Sequence, residues 1–286
     1  MKWPALNQQV FLRKIKMKKQ WRYFLLALGF FTRIPVPSFA DFQEVELNHS
    51  VKYFPLVGIL IGCLGALSFY LASLILPQTI AVLISMAATI YATGAFHEDG
   101  LADSADGMGG GWQREQILTI MQDSRLGTYG AVALFFALMA KFQLLIATHT
   151  HMVLLGLICG HALSRLCAVW LMAALPYVKS SGKSKPLATG ISVHDLWLAN
   201  LFGLLPLILL IGLIFVATFG YWLMVGFYLL LVFLAVGAVW YWWYRMLLRK
   251  LGGYTGDTLG AMQQITEIAF YLANLVWLQL LGNLGA

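Results

Sequence analysis

Hydrophobic positions along this chain come in long unbroken runs, not in alternation with polar ones. YFPLVGILIGCLGALSFYLASLIL, residues 53–76, is the clearest of them. A bilayer core takes ~20 apolar residues per helix, and only helices or closed barrels satisfy the backbone there. Barrel strands alternate with period two, so continuous runs mean helices. Seven spanning segments are predicted: 53–76, 80–96, 127–149, 151–175, 196–219, 221–244 and 265–284. WRYFLLALGFFTR, 21–33, is shorter and runs into IPVP, whose prolines stop a helix. It is expected to lie at the interface or to re-enter the bilayer. The expected fold is therefore all-α, a polytopic membrane helix bundle with about seven spanning helices plus an N-terminal interfacial or re-entrant helix. Residues 1–20 are expected to form a basic amphipathic arm, and 21–286 a single membrane-embedded domain.

Composition strengthens this picture. The chain is 60% hydrophobic and 11% charged, with a mean hydropathy of +0.77; a soluble domain carries roughly 25% charged residues. The pI of about 9.3 then argues for an anionic lipid surface and not for nucleic acid. The N-terminal MKWPALNQQVFLRKIKMKKQ lacks the continuous apolar region and small-residue cleavage site of a secretion signal. Cys63, Cys159 and Cys167 sit in apolar surroundings without CxxC spacing, which reads as helix packing.

Charge placement sets the orientation. Eight of the nineteen Lys and Arg precede residue 34, and most others fall at 114 and 125, 179–185 and 245–250. With the N-terminus cytoplasmic, alternation puts loops 97–126, 177–195 and 245–264 on the cytoplasmic side. The opposite loops are short and uncharged, which is the positive-inside pattern. The layout leaves 80–96 short and leaves Lys141 and Arg165 inside spans.

Of twelve Asp and Glu, six fall in 98–123. Within HEDGLADSADGMGGG, 97–111, Asp99, Asp103 and Asp106 are spaced four and three apart, one face of a helix. Like charges stacked this way repel, so a cation belongs among them, and Mg²⁺ suits carboxylate ligands. Glu98 is adjacent, and Asp123 can return a further carboxylate. Gly107, Gly109 and Gly110 can let backbone N–H groups approach a phosphate. Carboxylates holding Mg²⁺ beside glycines and basic loops make a pyrophosphate site. The bland alternative is a solvated acidic face.

Five other features join it. Asp257 lies among glycines in RKLGGYTGDTLGAMQQITE, either a second metal ligand or a helix N-cap. Lys179, Lys183 and Lys185 either hold an anionic substrate or mark the cytoplasmic side. Arg33 either reaches a phosphate or snorkels. His97 is a proton acceptor or a structural histidine. His161 and Arg165, four apart on one span, make a polar helix contact or the inner wall of a pocket.

FTRIPVP, FHEDGLADSADGMGGG, MQDSRLGTYGA, LGGYTGDTLGA and the following Glu267 resemble, in that order, the cobalamin synthase family, the adenosylcobinamide-GDP ribazoletransferases. The resemblance implies a Mg²⁺-dependent enzyme of the bacterial inner membrane. It joins adenosylcobinamide-GDP to α-ribazole or its 5′-phosphate, releasing GMP and forming adenosylcobalamin or its 5′-phosphate. It implies that Asp99, Asp103 and Asp106, with Glu98, Asp123 and Asp257, supply metal ligands. Asp103, Asp106 or His97 takes part in catalysis, and Gly107, Gly109, Gly110, Arg33 and Lys183 contact the substrate. A homo-oligomer, or an assembly with other cobalamin-pathway enzymes, stays open. Asp-Gly, small residues, then Asp also resembles the acidic motif of CDP-alcohol phosphotransferases, but Leu101-Ala102-Asp103 stands where that family has Ala-Arg. A transporter is the rival outside enzymes. It would more often place its acids near the midplane between inverted repeats, and no internal repeat is evident.

Overall fold

The computed structural model describes residues 19–39, 43, 45–178, 190–218 and 222–284. Most of the basic arm, together with Lys179, Lys183 and Lys185, lies outside the described residues. Among those described, the architecture is helical, with one isolated β-bridge between Tyr177 and Tyr254.

Helices α1 (Lys19–Phe31) and α2 (Val45–Ser50) lead through a 3₁₀ turn, Val51–Tyr53, into α3 (Phe54–Ser73). Then come α4 (Gln78–Thr93), α5 (Phe96–Gly110), α6 (Arg114–Ile120), α7 (Thr128–Ile146) and α8 (Thr150–Ala174). Helices α9 (Val193–Ala217), α10 (Trp222–Lys250) and α11 (Gly256–Leu284) complete the bundle. Six stretches are long and apolar enough to cross a membrane: 46–73, α7, α8, α9, α10 and 256–281. The bent pair α4–α5 makes a seventh if taken as one span. The chain is a polytopic all-α membrane protein.

Helix α8 is the hub: 78% of its most apolar window is buried, against 17% for α7 and 22% for α10. It packs on α3 through glycines. A Cβ on Gly58 would collide with the His161 carbonyl, and one on Gly62 would come within 2.6 Å of the Ile158 Cα. Small residues let backbones meet where lipid offers no hydrophobic drive between helices.

Helix α1 keeps to the expectation for 21–33, and two other boundaries differ. Helix α1 spans 13 residues, too short to cross, and ends where the Thr32 hydroxyl bonds back to Leu28 O at 2.7 Å. Helix α4 has 16 residues, about 24 Å at 1.5 Å each, short of a ~30 Å core. It stops at Gly94 and Ala95, both left-handed (φ +65° and +57°), and α5 leaves at 85°. The largest correction is in α11, which begins at Gly256 and not near 265. Its start is capped by Thr255, whose hydroxyl accepts from Thr258 N at 3.3 Å while Thr255 N donates to the Thr258 hydroxyl at 2.9 Å. Asp257 is therefore not the cap. Glycines and polar residues hid these two extra turns from a hydropathy reading.

The described parts of the three long polar connections lie at one end of the bundle. Lys250 Nζ donates to Met108 O at 3.0 Å, tying α10 to α5. Val178 N donates to Tyr254 O and Tyr254 N to Pro176 O, tying the α8 exit to the α11 start. Lys52 and Asp195 form a buried pair at 2.8 Å, tying the α3 entry to α9. At the other end, the Gln78 amide donates to Thr148 O at 2.7 Å.

Candidate active site

Helix α5 carries the acidic face at the polar end. Its side chains grade from exposed Asp99 through half-buried Asp103 to buried Asp106. The helix lies across α11. A Cβ on Gly100 would come within 2.7 Å of Asp257 O and 3.2 Å of the Gly260 Cα. This crossing brings the start of α11, with half-buried Asp257, beside the face bearing Asp99 and Asp103.

The six predicted metal ligands do not share one environment. Asp106 accepts Gly127 N at 2.8 Å on one oxygen and Gly130 N at 2.9 Å on the other. It thereby caps α7, a favourable place for an anion, and anchors α5 to α7. Asp123 is held by Arg125, whose guanidinium donates to it at 2.6, 3.0 and 3.1 Å. These hydrogen bonds hold its carboxyl down at about 2. Glu98 turns inward, one oxygen accepting from the Gln264 amide at 3.1 Å. Asp99, Asp103 and Asp257 remain at the crossing. Among the described residues, no three His, Cys, Asp or Glu are already gathered as a metal cage.

The glycines have another cause. A Cβ on Gly107 would collide with Met121, one on Gly109 would come within 2.5 Å of the Tyr129 ring, and one on Gly110 would sit 3.3 Å from Ile120. Close packing of α5 on α6 and α7 accounts for Gly107 and Gly109 without a phosphate. Arg33 is exposed at the α4–α5 break, where Arg33 N donates to Ala92 O at 2.8 Å and its guanidinium lies 5.6 Å from the Tyr91 ring centroid. Lys183 lies outside the described residues.

Behind α5 the bundle holds a buried polar cluster. Lys141 Nζ sits 3.1 Å from Glu267 Oε1, and His161 Nδ1 3.5 Å from Oε2. Tyr271 donates its hydroxyl to Glu267 Oε1 at 3.0 Å, and the Gln263 amide donates to Oε2. Arg165 donates to His161 O at 3.0 Å. This explains the two cations left inside spans: they line a protein-filled interior, as intramembrane charges do. His161 and Arg165 are both a helix contact and a pocket wall. Glu267, near the start of the predicted 265–284 span, is in the core at 2% exposure. His97 is buried too, stacked on Phe31 at 5.5 Å between ring centroids.

An acidic helix held across another at the polar end of a helical bundle, backed by a buried ion cluster, defines a polytopic membrane protein with the features of an enzyme acting at the bilayer surface. Residues 23–275 match the family model for cobalamin-5-phosphate synthase; the chain belongs to that family. It is 45% identical to an adenosylcobinamide-GDP ribazoletransferase of Shewanella frigidimarina, over 91% of this chain and 96% of that one. It is 40% identical to the Ralstonia pickettii protein of the same name, over 92% and 98%. No solved structure matches.

Proposed function

We propose that this protein joins adenosylcobinamide-GDP to α-ribazole or its 5′-phosphate, with Mg²⁺, at the cytoplasmic face of the bacterial inner membrane. The observation that carries this reading is the 40–45% identity, over nine-tenths of the chain, to proteins named for that transfer. The α5–α11 crossing supports it. Its carboxylates stand at the bundle end that also carries Lys250, which bonds to Met108 O of α5.

The ribose hydroxyl of the acceptor attacks the phosphorus nearer the cobinamide. A new P–O bond forms there, the bond to the bridging oxygen breaks, and GMP leaves with that oxygen. One or two of Asp99, Asp103 and Asp257 would hold Mg²⁺, with water and substrate oxygens completing its shell. When bound, Mg²⁺ offsets the charge of the pyrophosphate and of the departing oxygen. The hydroxyl proton leaves by an exposed carboxylate of α5. His97, buried behind the acidic face, is the less direct acceptor. Asp106 fixes the angle of α5, and positioning supplies much of such catalysis.

Purified protein given both substrates and Mg²⁺ is expected to release GMP. EDTA stops the release and added Mg²⁺ restores it. No GMP under metal-replete conditions sinks the reading and favours a lipid-head-group transferase or a transporter.

A further inference from the structure

A cavity of about 20 Å³ lies behind α5, lined by α4, α5, α7, α8 and α11. That is the space of about one water. Four polar atoms among its lining residues are buried without a hydrogen-bond partner: His97 Nε2, Glu98 Oε2, Arg165 Nε and Gln264 Oε1. His97, Arg165 and Gln264 are 4%, 2% and 2% exposed. Buried polar atoms are almost always paired, and four orphans around one small cavity point to an occupant.

Their chemistry specifies it. Glu98 Oε2 and Gln264 Oε1 accept, and Arg165 Nε–H donates. Nε2 of His97 donates when it carries the ring proton. A ligand that donates twice and accepts twice answers all four, and one water does so in the space present.

We propose that this cavity is a built water site, and that its water completes a bridge holding α5 to the buried ion cluster. The rest of the bridge is direct. Gln264 Nε2 donates to Glu98 Oε1 at 3.1 Å and to Gln263 Oε1 at 2.8 Å. Gln263 Nε2 donates to Ser164 Oγ at 3.0 Å and to Glu267 Oε2. Each amide is oriented by the next, and the acceptor-only Glu267 sets the sense of the row. Glu98 adjoins Asp99 on α5. Glu98 and Gln264 are thus positioning residues for the acidic face, a role that rests on the function proposed above.

Two measurements test this. An experimental structure at a resolution that orders internal waters should show one within hydrogen-bond distance of at least three of the four atoms. A cavity that is empty, or filled by a side chain, overturns the site. In the GMP-release assay, Gln264→Leu and Glu98→Gln should lower kcat by about 10- to 100-fold, with KM for adenosylcobinamide-GDP near that of the unsubstituted protein. Gln264→Asn, which keeps both the donor and the acceptor, should recover part of the loss. Cys63→Ser, on the exposed side of α3, serves as the control. Full kcat in Gln264→Leu and Glu98→Gln, or a loss confined to KM, overturns the positioning role. Absence of GMP from the unsubstituted protein instead refutes the proposed transfer and leaves the water site to the structural measurement.

Discussion

Lys141 and Arg165 look misplaced in transmembrane helices until Glu267 stands beside them. Each was visible in the sequence as an anomaly. Glu267, which pairs with Lys141, lay in the predicted 265–284 span, but only the fold shows which helices meet there. Removing Lys141 alone leaves a buried carboxylate without its cation, a loss of about 3–5 kcal/mol. Lys141→Met should therefore lower the melting temperature in detergent sharply. Lys141→Met with Glu267→Met should cost less than the sum of the singles, because the pair is coupled. The carboxylates of the polar end separate in the same way. Asp103→Asn should abolish GMP release while the protein still folds, because Asp103 stands at the α5–α11 crossing. Asp123→Asn should keep most of the turnover, because Asp123 is occupied by Arg125. Its carboxyl titrates at about 2 against an ordinary 3.8. A depressed carboxyl contributes its stability above the unfolded value and loses it as pH falls through the folded one. No pH dependence near neutrality should therefore trace to this pair. Assays of both variants across pH check the two expectations together.

At the scale of elements, the helical spacing of Asp99, Asp103 and Asp106 was legible, and the structure makes that stretch a helix. Its direction was not legible. Gly94 reads like any glycine, and Ala95 gives no sign of a left-handed backbone. The glycines of α5 were ambiguous for a related reason. A glycine beside a phosphate and a glycine beside Tyr129 look alike in sequence, and only the neighbour decides. The bend depends on Gly94. An alanine there takes a conformation that costs an L-residue roughly 1–2 kcal/mol, and its Cβ would come within 2.7 Å of Arg33 Nε. Gly94→Ala should lower thermal stability by about that amount. It should lower turnover more, since α5 loses its angle; melting and GMP release on one preparation separate the two effects.

For the whole molecule, hydropathy and the distribution of Lys and Arg were enough to place the long connections at one end, because those signals sum over many residues. The side of the membrane can be read by labelling. With the native cysteines replaced, a cysteine at Ser124 should react with an impermeant thiol reagent only from the cytoplasm. One at Thr79 should react only from the opposite side. The reverse pattern would invert the topology and move the site outside. The ion cluster also has a history in time. Lys141 and Arg165 belong to α7 and α8, whereas Glu267 belongs to α11, which the ribosome makes later. For that interval the growing protein carries two cations in the bilayer without the carboxylate that Lys141 pairs with in the finished fold. Synthesis of α11 thus closes the charge of the interior as well as its packing. A chain halted before Glu267 keeps an unneutralised core.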